Sequence, residues 1–99
     1  MPQISPLTLS TVIVRRDDII DAEIDREIVA LSIEHGMCYG LNLVGSRIWR
    51  LLAEPIRVGE ICNILLTEYN VEPCTCESQL VDLLEEMRTE GLIVTPETQ

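Results

Sequence analysis

The hydropathy of this 99-residue chain changes period once, at Asn42. That change constrains the fold more than any other feature. Before it, apolar residues gather in short β-branched runs separated by polar pairs; after it, they recur every three or four residues. Residues 19–24, 27–34 and 37–42 read as three strands. Asp25-Arg26 is a two-residue connection that lacks the Gly such a hairpin prefers. His35-Gly36 makes the second turn, where Gly36 can take a positive φ. The middle run is apolar on both faces, which predicts a covered strand. Residues 11–15 are β-prone and read as an extended lead-in.

Beyond Asn42, a plausible N-cap, Val44, Ile48, Leu51 and Leu52 form one helical stripe that Glu54-Pro55 ends. Val58, Ile61, Cys62, Leu65, Leu66 and Tyr69 form a second stripe, broken over 70–73. A third helix is expected over about 74–90, with Leu80, Leu83, Leu84 and Met87 inward and Gly91 as its terminator. Leu92-Ile93-Val94 then packs back in extended form. The expected architecture is a small α+β domain over 11–95, a three-stranded antiparallel sheet followed by three helices on one face. Residues 1–10 are expected to be a flexible tail and 96–99 a second one.

Charge and composition exclude several function classes. The chain holds 17 acidic and 7 basic residues, for a net charge of −10, and every basic residue is Arg. Such a domain repels a phosphate backbone unless its Arg side chains cluster, and these are scattered. Nucleic acid and anionic membrane are therefore not expected partners. No apolar run approaches the ~20 residues of a bilayer span. The first six residues lack the basic region of a secretory signal, so a cytoplasmic location is expected.

Catalysis finds no foothold. There is one His, no Lys and no Gly-rich phosphate loop. His35 and Cys38 could pair in principle, but strand alternation turns them to opposite faces. Cys38, Cys62, Cys74 and Cys76 lack the paired spacing of a structural zinc site. We expect no catalytic residue, no metal and no cofactor. The acidic pairs Asp17-Asp18, Asp21-Glu23 and Glu85-Glu86 fit no calcium loop and read as solvated surface.

Two features point instead to binding. Residues 37–42 end a simple meander and so form an edge strand, with no Pro or Lys to discourage pairing. An open edge of this kind suits an extended peptide, or an edge-paired or swapped homodimer in place of a monomer. The third helix carries an apolar flank, Val81 and Leu84 with Arg88 beside them, that could wall a groove. The expected peptide-binding residues are Cys38, Tyr39, Gly40 and Leu41 on the strand and Val81, Leu84 and Arg88 on the helix.

The run from Asp21 to Leu31, DAEIDREIVAL, resembles the first hairpin of the PqqD-like family, the leader-recognition domains of peptide-modifying pathways. Tyr39-Gly40-Leu41-Asn42 followed by Val44-Gly45-Ser46-Arg47-Ile48-Trp49 resembles that family's signature. Pro55, Val58, Ile61 and Tyr69 also fit. The likeness covers roughly residues 12–95. The turn Asp25-Arg26 without Gly, and the pair Cys74-x-Cys76, depart from the pattern. The resemblance implies a winged-helix-like domain without activity of its own. It would bind the leader of a ribosomally made precursor peptide by strand addition. In lasso peptide pathways such a protein serves a cysteine-protease-like leader peptidase, followed by a cyclase. The alternative within the family is a peptide chaperone for a radical enzyme. Arg47 and Arg50 on the first helix are candidates for an enzyme-facing patch, or else they balance nearby carboxylates. From another class, a winged-helix DNA-binding regulator predicts a basic third helix. This one holds Glu77, Asp82, Glu85, Glu86 and Glu90 against Arg88.

Overall fold

The computed structural model describes residues 6–96; residues 1–5 and 97–99, parts of the expected tails, lie outside the described residues. The elements run β1 (Val12–Arg15), β2 (Ile19–Ile24), β3 (Glu27–Ser32), β4 (Met37–Gly40), α1 (Leu43–Leu51), β5 (Ile56–Arg57), α2 (Val58–Glu68), α3 (Pro73–Thr89) and β6 (Ile93–Val94). β2, β3 and β4 form the expected antiparallel meander, and three helices follow it. Among the described residues a second small sheet accompanies it, in the order β5-β1-β6. The lead-in expected over 11–15 is its central strand: Val12 lies opposite Arg57, and Val14 opposite Val94.

The hairpin between β2 and β3 turns without glycine. Asp25 and Arg26 take φ of 53° and 70°, the left-handed values of a type I′ turn. A non-glycine residue there is strained by about 1–2 kcal/mol. Arg26→Gly is therefore expected to stabilise the domain by about 1 kcal/mol, read as a higher urea midpoint at unchanged slope. An unchanged midpoint would show that other contacts absorb the strain.

Only one face of the meander is covered. Ile28, Ala30 and Ser32 are buried on the inward face, where α1 packs on β3. The opposite face carries Ile20, Leu31 and Ile24, which are 53%, 38% and 61% exposed. The middle strand is thus covered on one side, not on both: its apolar outward residues lie on a bare sheet face. The join between sheet and helix is polar at its centre. Ser46, fully buried on α1, accepts the Ile28 N–H at 2.8 Å and donates to the Leu41 carbonyl at 3.1 Å. Trp49, also fully buried, donates its indole N–H to Asp21 on β2 at 2.7 Å. Asp21 also binds Arg15, whose guanidinium lies 5.1 Å over the Trp49 ring.

Asn42 caps α1 as expected, its side chain accepting the Gly45 N–H at 2.8 Å. Gly91, with φ of 80°, ends α3 in a Schellman motif: Leu92 N–H reaches the Met87 carbonyl and Gly91 N–H the Arg88 carbonyl. This turn swings Ile93 and Val94 back onto β1. The expected flexible tail over 1–10 requires a correction for its described part. Leu7 is buried, its N–H bonds Glu85 at 2.9 Å, and the Leu9 carbonyl accepts the Gly59 N–H at 2.8 Å. A Cβ on Gly59 would stand 3.1 Å from that carbonyl oxygen, so the glycine lets the two segments approach.

Candidate functional site

β4 is one of the two edges of the meander, with β3 as its one sheet neighbour, and it is the edge that borders a groove. Leu41 N–H bonds the Ile28 carbonyl at 2.8 Å, and Tyr39 lies opposite Ala30. Backbone groups alternate in direction along a strand, so the N–H and C=O of Cys38 and Gly40 turn away from β3. Both residues are exposed. The strand therefore offers two donor–acceptor pairs to an incoming extended chain.

Beside this edge lies an open groove of about 750 Å³. β4 and its continuation supply Cys38, Tyr39, Gly40 and Leu41 on one side. α3 supplies Gln79, Leu80, Leu83, Glu86, Met87 and Glu90 on the other. Val44 and Ile48 of α1, and Leu65, Tyr69 and Val71 around the end of α2, close the remainder. The lining is mainly apolar with a few polar groups, as expected of a recognition groove. Tyr39 spans it: its hydroxyl donates to Glu90 at 2.8 Å, and that bond pushes the phenol above its ordinary pKa.

The four expected strand residues thus line the groove, while the three expected helix residues do not. Leu84 is fully buried in the core. Val81 packs at the core margin on the flank facing away from the groove. Arg88 pairs with Glu85, which also receives the Leu7 N–H. The physical reason is that a helical stripe has two flanks. Val81, Glu85 and Arg88 lie on the flank next to the N-terminal segment, and Gln79, Leu83, Glu86 and Glu90 lie on the other. Periodicity locates the stripe, but the flank that faces the sheet edge is a tertiary property. Leu83, the apolar residue on the groove side, reads in the sequence only as core.

The acidic residues expected to be mere solvated surface are engaged in several places. Asp21 holds Trp49 and Arg15, Glu23 holds Arg50 at 2.7 Å, and Asp18 and Glu34 hold Arg16. Arg47 binds Glu68 of α2 at 2.6 Å, and that hydrogen bond keeps the Glu68 carboxyl below its usual pKa. Arg47 and Arg50 therefore balance carboxylates of their own domain. With Arg88 also paired and α3 otherwise acidic, the helix has no basic face for a groove of DNA.

All four cysteines are free thiols. Cys62 and Cys76 are buried, with sulfurs 3.8 Å apart; burial, and then the bond to Cys76, push the Cys62 thiol to about 11. His35 is exposed in its turn. Among the described residues no three His, Cys, Asp or Glu side chains form a metal-sized group, and no helix is long and apolar enough to cross a membrane.

The comparisons with known proteins give the family and the fold. The sequence pattern of PqqD, coenzyme PQQ synthesis protein D, matches residues 27–93. A solved structure of TbiB1 in complex with the TbiA(beta) leader peptide is 37% identical, with a TM-score of 0.77 over 87% of this chain and 96% of that one. A lasso peptide synthetase B1 complexed with the leader peptide is 23% identical, with a TM-score of 0.74 over 83% of this chain and 96% of that one; it shares the fold. No curated protein matches.

Proposed function

Because the chain belongs to the PqqD family, we propose that it binds the leader segment of a ribosomally made precursor peptide and presents it to a separate modifying enzyme. The observation that carries this reading is the unpaired edge of β4 standing over an apolar groove. TbiB1, of closely similar fold, is known in complex with a leader peptide. The leader adds as a fourth strand along Cys38 to Leu41, with alternate side chains dipping toward Leu83 and Val44. A homodimer paired through β4 would occupy the same main-chain groups and so would compete with the leader.

The pathway is lasso peptide biosynthesis in this reading, supported by the fold shared with a lasso peptide synthetase B1. The enzyme partner is a cysteine-protease-like leader peptidase, with a cyclase acting afterwards. The domain itself brings no catalytic group and no cofactor. It raises the effective concentration of the precursor's core beside the peptidase. A precursor made on the ribosome is met in the cytoplasm, where we place this domain. The family's own description, coenzyme PQQ synthesis, favours a second reading, a peptide chaperone for a radical enzyme.

Two measurements test these statements. The purified domain is titrated with the leader of the precursor encoded beside it, and backbone amides are followed by hydrogen exchange. The Cys38 and Gly40 amides are expected to gain protection on binding. Gly40→Pro removes one outward donor and is expected to weaken binding about tenfold, roughly 1.4 kcal/mol. Unchanged amides with a full-strength complex would refute strand addition. Precursor, domain and peptidase are then mixed in all combinations. Processing is expected only where domain and peptidase are both present. If a radical enzyme replaces the peptidase in that role, the second reading stands.

A further inference from the structure

We infer that the groove selects leaders carrying a Lys or Arg that pairs with Glu86 on α3. This deepens, and rests on, the leader-binding reading above. Among the described residues lining the groove none is cationic, while Glu86 and Glu90 both face it. Glu86 is exposed, and its carboxylate has no ion-pair or hydrogen-bond partner among the described residues, unlike its sequence neighbour Glu85, which binds Arg88 and the Leu7 N–H. Glu90 is positioned by the Tyr39 hydroxyl, which ties the carboxylate end of α3 to the middle of the edge strand.

The spacing suits an extended peptide. Residues four apart on a helix are separated by about 6 Å along its axis. Alternate residues of a strand, those that point the same way, are separated by about 6.6 Å. A strand added to β4 can therefore set one side chain beside Glu86 and the next same-face residue beside Glu90. The chemistry follows from the lining: a cation meets Glu86 at the polar stretch of the wall, and apolar side chains meet Leu83 and Val44 beyond it. The domain's charge of −10 adds long-range attraction for such a peptide and repulsion for an acidic one.

The probe is the leader of the precursor encoded beside this chain, with each of its Lys and Arg residues changed singly to Ala and to Glu. Binding is measured to the native domain and to Glu86→Gln and Glu86→Lys, with circular dichroism confirming that these surface variants are folded. Glu86→Gln is expected to weaken binding about threefold to fivefold, and Glu86→Lys about tenfold or more. One basic leader position is expected to show the reciprocal behaviour: its Glu variant binds the native domain poorly and regains affinity with Glu86→Lys. If the native leader binds all three proteins equally, or if no basic position is rescued, the inference is overturned while leader binding itself stands. A leader that binds none of them overturns the leader-binding reading, and the inference with it.

Discussion

Trp49→Ala is expected to cost about 3–5 kcal/mol of stability, the range for emptying a fully buried large aromatic site. The indole is completely buried on α1 and donates to Asp21 at 2.7 Å, with the Arg15 guanidinium above its ring. Removing it opens a cavity between sheet and helix and leaves a carboxylate without one of its donors. A domain of this size has about 5–15 kcal/mol in total. The midpoint of thermal unfolding should therefore fall by roughly 15–30 °C. Trp49→Phe separates the two causes. It keeps most of the volume and loses the hydrogen bond, so a loss near 1–2 kcal/mol is expected. If the Phe variant falls as far as the Ala variant, the hydrogen bond outweighs the packing and the volume argument fails.

Leu83→Asp is expected to weaken leader binding by about 1–3 kcal/mol, roughly fivefold to a hundredfold, as at an interface hot spot. Leu83 lies on the groove wall of α3 and is only partly buried, so a charge there faces the groove proposed for the peptide rather than the core. Val81, two residues earlier, lies on the opposite flank. Val81→Asp is expected to leave affinity within about twofold, provided circular dichroism shows it folded. If a folded Val81→Asp loses affinity as strongly as Leu83→Asp, the assignment of groove wall to the Gln79–Leu83–Glu86–Glu90 side is wrong.

That pair of residues also marks the limit of what was legible in the sequence. The change of period at Asn42 announces a meander followed by helices, and both are present. Asn42 and Gly91 announce the helix ends they occupy, because cap chemistry is local. The groove's strand wall was equally readable, since the last strand of a meander must be an edge. The helix wall was not. Its facing depends on the Leu7 segment covering the Glu85–Arg88 flank, a contact between residues almost a full chain apart. Distance hides the second sheet in the same way. β1 pairs with two-residue strands far along the chain; residues 92–94 read as an extended return without a named partner, and Ile56–Arg57 is too short to read as a strand at all.

The position of β1 has a consequence for how the molecule is made. Among the described strands it is made before the others and is among the last to be satisfied, because its partner β6 lies at residues 93–94. The β2–β4 meander can close early through its own short turns, with α1 docking on it as it emerges. β1 must wait, with the main-chain groups destined for β6 unpaired, until Gly91 has turned the final residues back. A chain cut before Ile93 would thus keep the β4 edge and most of the groove residues, yet leave the β6-facing side of β1 unpaired. Such a truncated chain would expose an interior strand flank of the kind that chaperones and proteases act on.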